Sequence, residues 1–181
     1  MKLYHYFEKE RGPFNNLSDL SLEEAEKVLS KIRENQEIFA SKRDVNYMKR
    51  RFEYEDNIKD LFIKKKGKVF RDRPHYMTLE ECKWLEKWYI NSDYISIDLE
   101  LIDTNSISFT YGDTFPVFGP NGDDSAWYRK NVYTYEEILE KIKKYGLPQQ
   151  WNPIGENGPI RYIEAQIWSN DLVDKLRKIK K

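Results

Sequence analysis

The sequence is poor in the residues that most often build metal and redox sites. It has one cysteine, Cys82, and two histidines, His5 and His75, among 181 residues. A single cysteine excludes a disulfide within the chain and the usual zinc sites. Cys82 falls on the apolar stripe of a short helical pattern, which favours a buried structural residue over the nucleophile of a Cys-His pair. We therefore expect no metal site.

Several motifs for phosphate binding and nucleophilic catalysis are also missing. The chain has neither a Gly-x-Gly-x-x-Gly loop nor a Gly-x-x-x-x-Gly-Lys-Ser/Thr loop, and it has no Gly-x-Ser-x-Gly elbow. No run approaches the roughly 20 apolar residues of a membrane span. Residues 1–7 are too short and too polar for a signal peptide. These absences predict a cytoplasmic protein without a membrane partner.

The sequence also lacks a net charge, because 31 lysines and arginines balance 31 acidic residues. This balance argues against a nucleic-acid coat or a polybasic membrane anchor. The charge is uneven, however, since residues 42–73 hold twelve basic residues against six acidic ones. Nucleic-acid binding through residues 42–73 is therefore one hypothesis, and a solvated helix face is the more ordinary interpretation.

Hydrophobic periodicity predicts a mixture of strands and helices. Alternating patterns predict strands at residues 2–7, 74–78, 95–99, 107–111 and 161–168. Three capping boxes, beginning at Ser21, Thr78 and Thr134, predict helix starts, and a fourth helix is expected over about 44–63. We predict an α+β fold: a single compact domain over residues 1–169 with about four helices. Its sheet is expected to be mostly antiparallel, with a split sheet as an alternative. Residues 170–181 are expected to form a basic C-terminal tail or a frayed helix.

Two long loops, residues 112–131 and 147–159, are rich in glycine and proline. Loops of this length are usually either functional or disordered. The loops contain Phe115, Phe118, Trp127, Tyr128 and Trp151, and these aromatic side chains favour an ordered, packed conformation.

The last predicted strand carries the strongest candidate for chemistry. Ile163, Ala165 and Ile167 form one face, whereas Glu164 and Gln166 lie on the other face between Tyr162 and Trp168. This pattern indicates a semi-enclosed polar surface. The Glu164 carboxylate could orient a sugar hydroxyl or stabilise positive charge on a ribose ring. The alternative is that Glu164 pairs with a surface lysine or arginine.

His5 is the second candidate, because it lies in the middle of the first strand on the same face as Leu3 and Phe7. Such a histidine is either a structural residue or a hydrogen-bond partner of a nucleotide ribose. His75 is expected at the surface or at a strand edge. The Tyr111-Gly112-Asp113 segment ends a strand, where glycine allows close approach of a ligand or simply a bend. The ligand-binding candidates are Tyr4, Tyr111, Asp113, Tyr162, Gln166 and Trp168.

Three segments resemble a family of small uncharacterised bacterial proteins, and the resemblance covers nearly the whole chain. The segments are LYHYFEKERGPFNNLSDLSLEEAE, SISFTYGDTFP and YGLPQQWNPIGENGPIRYIEAQIW. This resemblance implies no particular function.

A second similarity is to the ADP-ribosyltransferases, including the branch that modifies DNA. Tyr4 and His5 resemble the Tyr-His pair of the first strand, and Asn16-Leu17 resembles the following turn. Glu164 within IEAQIW resembles the catalytic glutamate of the last strand. The similarity implies NAD as cofactor, with the histidine on its ribose and the glutamate at the oxocarbenium-like transition state. The chain departs from the pattern, since Tyr6 replaces the usual threonine and no central Tyr or Ser motif is present.

These observations leave three hypotheses of different classes. The favoured one is a non-catalytic binding or protein-interaction domain, with a protein or a nucleotide as partner. The second is an NAD-dependent ADP-ribosyltransferase-like enzyme, which requires His5 and Glu164 to share one cleft. The third is the nucleic-acid binder described above.

Overall fold

The computed structural model describes residues 1–179, without the side chain of residue 179. The strands are β1 (Lys2–Glu8), β2 (His75–Leu79), β3 (Ser92–Asp98), β4 (Ile107–Thr110) and β5 (Ile163–Ile167). The α-helices are α1 (Leu22–Glu34), α2 (Tyr47–Lys64), α3 (Thr114–Phe118), α4 (Tyr135–Tyr145), α5 (Pro148–Trp151) and α6 (Asn170–Ile179). The α+β fold class is confirmed. None of the described helices is both long and apolar enough to cross a bilayer.

The five strands form one continuous sheet in the order β3-β1-β2-β5-β4, so the sheet is not split. Every neighbouring pair is antiparallel. Tyr4 lies opposite Thr78, Thr78 lies opposite Glu164, and Glu164 lies opposite Thr110. Since directly opposite residues point to the same side of a sheet, these four residues form one row on one face. We call this side the polar face.

The other side, which we call the apolar face, carries the main core. It includes Leu3, Met77 and Ala165, and it packs against α4 through Ile138 and against α6 through Leu176. Helix α6 thus contributes Leu172, Val173 and Leu176 to the main core. Lys180 and Lys181 lie outside the described residues.

Helix α2 covers the polar face. Its Ile58 and Phe62 pack against Trp168, which follows β5. On the outer side of α2, Met48 packs against Ala25 and Leu29 of α1. The sheet is thus enclosed between α4 and α6 on one side and α2 on the other.

Local signals explain three of the helix boundaries. Ser21 and Thr134 each form a complete capping box, so the predicted starts of α1 and α4 are confirmed. Helix α4 ends at Gly146, whose φ of 78° is a conformation that glycine adopts without strain.

The capping box predicted at Thr78 is wrong. Thr78 lies within β2, and its hydroxyl donates to the carbonyl oxygen of Glu80. Residues Lys83–Trp88 form a 3₁₀ helix whose preceding residue, Cys82, makes no side-chain cap. Pairing of β2 with β1 and β5 extends through Leu79, so the sheet overrides the local helix signal.

Candidate functional site

Glu164 lies in the middle of the polar face, because β5 is flanked by β2 on one side and β4 on the other. Only 7% of the residue is exposed. Its Oε1 atom accepts hydrogen bonds from the Thr114 backbone N–H at 3.2 Å, from the Thr114 hydroxyl, and from Gln166 Nε2 at 3.1 Å. One oxygen of the carboxyl group is therefore fully engaged by α3 and β5.

The second oxygen, Oε2, accepts no hydrogen bond from any residue in the described chain. It is also not one of the fully buried oxygens that lack a partner, so it reaches the remaining exposed area of Glu164. No lysine or arginine within the described residues forms an ion pair with Glu164, which contradicts the alternative of a surface salt bridge. The carboxyl group thus presents one unoccupied oxygen.

A chain of hydrogen bonds holds Gln166 behind Glu164. Gln166 donates to Thr110 Oγ1 at 3.0 Å and accepts from Ser108 Oγ at 2.8 Å. Ser108 Oγ in turn accepts from Trp168 Nε1 at 2.9 Å. Gln166 and Trp168 have no exposed area, so these two ligand candidates support the network from within and do not contact a ligand.

Asp113 and Tyr162 lie beside Glu164, although the sequence placed only Tyr162 on the same strand face as this glutamate. Tyr162 donates from its hydroxyl to Asp113 Oδ2 at 2.6 Å. Asp113 Oδ1 accepts from the Phe115 backbone N–H at 2.8 Å and so caps α3, which begins with Thr114. The same turn therefore aims Thr114 at Glu164 and places the Asp113 carboxylate near it.

Burial raises the pKa of Glu164 to about 8, and the negative charge of Asp113 raises it further in the same direction. Hydrogen bonds from Thr114 and Gln166, and the more distant positive charge of Arg51, oppose this shift without cancelling it. At neutral pH the carboxyl group is mostly protonated, because its pKa lies above 7. Glu164 can then donate a hydrogen bond through Oε2.

A second buried carboxylate, Glu55 of α2, lies on the polar face and was not among the candidates predicted from the sequence. Its Oε1 accepts from Arg51 Nε at 2.9 Å, from the Tyr76 hydroxyl at 2.8 Å and from Ser18 Oγ at 2.7 Å. Tyr76 lies opposite Gln166, so this cluster adjoins the Glu164 network. The four-residue spacing of Arg51 and Glu55 on a predicted helix was the only signal available.

Aromatic side chains and arginines border the polar face. Trp84 lies 6.4 Å from Tyr162, measured between ring centroids, and Trp88 packs edge-on against Trp84 at 5.5 Å. The Arg161 guanidinium lies 4.3 Å from the centre of the Trp84 ring, and that of Arg43 lies 5.3 Å from the centre of the Trp88 ring. We call Arg43, Trp88, Trp84 and Arg161 the arginine–tryptophan ridge.

His5 lies on the opposite side of the sheet from Glu164. It pairs with Ile95 on the apolar face, whereas Glu164 shares the row of Tyr4 and Thr78. Alternation along β1 places His5 and Tyr4 on different faces. The expectation that His5 and Glu164 line one cleft is therefore wrong.

Both ring nitrogens of His5 are engaged. Nδ1 lies 2.8 Å from the Tyr76 carbonyl oxygen, to which it donates, and Nε2 accepts from the Phe14 backbone N–H at 2.9 Å. The ring stacks on Phe14 at 4.0 Å. Burial lowers the pKa of His5 to about 4, so the imidazole stays neutral. These contacts describe a structural histidine.

The remaining candidates are dispersed. Tyr4 lies on the polar face, whereas Tyr111 is buried and donates to the Gly146 carbonyl oxygen at 2.7 Å, away from Glu164. His75 is buried and not at the surface as expected, and its Nε2 lies 3.7 Å from Asp19 Oδ2. The buried position predicted for Cys82 is confirmed.

Two open grooves, of about 580 and 710 Å³, lie elsewhere on the surface. Neither is lined by Glu164 or by the arginine–tryptophan ridge. Their arginines already contact carboxylates, as in the Arg71–Asp19 pair at 2.6 Å and the Arg50–Asp44 pair at 2.5 Å. The polar face, with the unpartnered Oε2 atom of Glu164, is therefore a better candidate for a ligand site than either groove.

Within the described residues, no group of three or more His, Cys, Asp or Glu side chains could hold a metal ion. Comparison of the chain with protein-family models, with curated proteins and with solved structures gives no match.

Proposed function

We propose that the protein is a non-catalytic binding domain whose ligand site is the polar face around Glu164. The observation that supports this most directly is the unoccupied Oε2 atom of a carboxyl group that is otherwise buried. A buried carboxyl group without a cationic partner reduces stability, and groups of this kind are concentrated at functional sites.

The protonation state of Glu164 defines what the site can bind. A neutral carboxyl group donates one hydrogen bond and is well suited to a ligand oxygen or nitrogen that accepts one. Nearby, Asp113 offers carboxylate oxygens that accept hydrogen bonds from hydroxyl or amine groups. The site therefore suits a small polar ligand that has both donors and acceptors.

Binding is favoured over catalysis for two reasons. The imidazole that the transferase hypothesis needs lies on the opposite face of the sheet. In addition, a protonated Glu164 carries no negative charge with which to stabilise an oxocarbenium ion. Nucleic-acid binding through residues 42–73 loses support because several of those cations already form ion pairs, for example Lys59 with Asp72.

The test uses ribose, adenosine, AMP and NAD as probes in a thermal-shift screen at pH 6.5. Each hit is then titrated calorimetrically at pH 6.5, 7.5 and 8.5. We expect wild-type affinity to fall above pH 8, where Glu164 ionises. Glu164→Gln keeps a donor at every pH, so its affinity should not depend on pH over this range. Glu164→Leu should lose binding.

Glu140→Gln is the matched control, since Glu140 is an exposed glutamate on α4 that belongs to neither network. It should bind and titrate like the wild type. The proposal fails if no probe raises the melting temperature, or if a hit binds Glu164→Leu as tightly as the wild-type protein.

A further inference from the structure

Two of the ten arginines lack a carboxylate partner within the described residues. Eight arginines have a carboxylate oxygen within 4.0 Å. The exceptions are Arg43 and Arg161, and neither side chain donates a hydrogen bond to another described residue. The Nε atom of Arg43 is also buried without a partner. Because unpaired guanidinium groups are rare in this chain, their occurrence at one place is informative.

Both unpaired arginines stack on aromatic rings of the arginine–tryptophan ridge. Arg161 lies over Trp84, while Arg43 lies over Trp88 and 4.7 Å from the centre of the Tyr47 ring. Stacking holds a guanidinium plane in place while its edge N–H groups stay free. A planar, fixed edge of this kind matches the two oxygens of a phosphate or carboxylate group.

The surroundings add positive charge. Lys42 ends the 3₁₀ helix Phe39–Lys42, and Lys83 and Lys87 belong to the 3₁₀ helix Lys83–Trp88. These three lysines are exposed, and none forms an ion pair with another described residue. Glu81 precedes this second 3₁₀ helix and Glu86 lies within it; both are exposed, and neither forms an ion pair with Arg43 or Arg161.

We infer that the arginine–tryptophan ridge binds an oxyanion, the phosphate or carboxylate group of a small ligand. The inference rests on the proposed function, because contact between Trp84 and Tyr162 places the ridge beside Asp113 and Glu164. A ligand with an anionic group on the ridge can extend its neutral part toward the Glu164 carboxyl group. The ligand class is thus an anionic polar small molecule.

The experiment is a calorimetric titration of the full chain with inorganic phosphate, succinate, AMP and adenosine. AMP and adenosine differ only in the phosphate group, so their ratio of affinities reports the contribution of the oxyanion. We expect AMP to bind at least tenfold more tightly than adenosine. The phosphate and succinate arms show whether the oxyanion is of the phosphate or the carboxylate type.

Three variants locate the effect. The double variant Arg43→Gln, Arg161→Gln should reduce AMP affinity at least tenfold and bring it close to that of adenosine. Arg43→Lys, which keeps the charge but loses the planar edge, should also weaken AMP. Arg11→Gln removes a charge from an exposed arginine paired with Glu8, and should leave the affinity within twofold of wild type.

Two results would overturn the inference: no oxyanion probe binds the wild-type protein, or the double variant binds AMP as tightly as wild type. A ten-residue oligothymidylate that binds far more tightly than AMP, with steep loss of affinity in salt, would also overturn it in favour of a nucleic-acid surface. If oxyanion binding needs both arginines but no probe depends on Glu164, the ridge assignment stands and the proposed function fails. If instead binding of a probe depends on Glu164 but not on the two arginines, the proposed function stands and the oxyanion assignment of the ridge fails.

Discussion

The buried carboxyl group of Glu164 makes a specific prediction about stability. In the native state its pKa is raised to about 8, whereas the unfolded chain releases this proton near 4.5. Between these values the native state binds more protons than the unfolded state, so stability falls as the pH rises. The slope is about 1.4 kcal/mol per pH unit, and it decreases as the native group begins to ionise.

Between pH 6.5 and 8, the effect of Glu164 is the difference between wild type and Glu164→Gln, because the two histidines act on both proteins alike. Burial lowers the pKa of His5 to about 4 and that of His75 to about 3, whereas the unfolded histidines are still half protonated at pH 6.5. The two histidines therefore raise stability by about 0.8 kcal/mol in total between pH 6.5 and 8. Burial raises the pKa of Cys82 to about 11, which keeps the native thiol protonated throughout the interval. Across these 1.5 pH units, Glu164 should reduce the free energy of unfolding by about 1.5 to 2 kcal/mol.

Urea denaturation at four pH values between 6.5 and 8 measures this loss directly. Wild-type protein and the Glu140→Gln control should each lose about 1 kcal/mol, because the histidine gain offsets part of the Glu164 loss. Glu164→Gln, which resembles the protonated side chain in shape and donor capacity, should instead gain about 0.8 kcal/mol from the two histidines. If Glu164→Gln loses as much stability as the wild type across the interval, the carboxyl group is not held neutral and the reasoning fails.

Three further predictions concern stability and use the same denaturation assay. Gly112→Ala should cost about 2 to 4 kcal/mol, because Gly112 has a φ of 130° and an added Cβ would lie 2.5 Å from Ile160 Cδ1. Gly12→Ala, at a positive φ with no atom near the added Cβ, should cost only about 1 kcal/mol. Equal costs for the two variants would contradict the packing argument. Thr134→Ala removes the cap of α4 and should cost about 1 kcal/mol, or 2–4 °C in Tm, and no loss would mean that the capping box contributes nothing. Trp168→Phe should cost about 2 kcal/mol through the lost indole hydrogen bond and lost volume, and a neutral result would show that the buried network is not important for stability.

Local patterns were sufficient to predict most of the fold. The side-chain alternation in Ile163–Ile167 and the capping boxes at Ser21 and Thr134 depend on neighbours in the chain, and the structure follows them. The signal at Thr78 is equally local and failed, because two partner strands extend β2 through that residue. Local signals do not contain the pairing that decides such conflicts.

The alternation of side chains along β1 and β5 already indicates that His5 and Glu164 lie on opposite faces of the sheet. His5 alternates in phase with Leu3 and Phe7, whereas Glu164 alternates out of phase with Ile163 and Ala165. If the apolar sides of both strands cover the same core, the imidazole and the carboxyl group must point in opposite directions. The transferase hypothesis therefore conflicts with the alternation pattern of the two strands as well as with the observed strand pairing.

The environment of Glu164 could be predicted only in part. Its semi-enclosed polar surroundings follow from Tyr162 and Gln166 on the same strand. The arginine–tryptophan ridge joins residues 43, 84, 88 and 161, which no sequence spacing connects. The raised pKa depends on burial beneath α3 and on Asp113, and both are products of tertiary packing.

The central position of β5 affects how the protein folds during synthesis. This strand lies between β2 and β4, although it follows the other four strands of the sheet in chain order. Until residue 167 emerges, the facing edges of β2 and β4 have no strand between them, and their unpaired backbone groups are open to other chains. We therefore expect the sheet to be completed late in synthesis, with exposed strand edges that chaperone binding would protect.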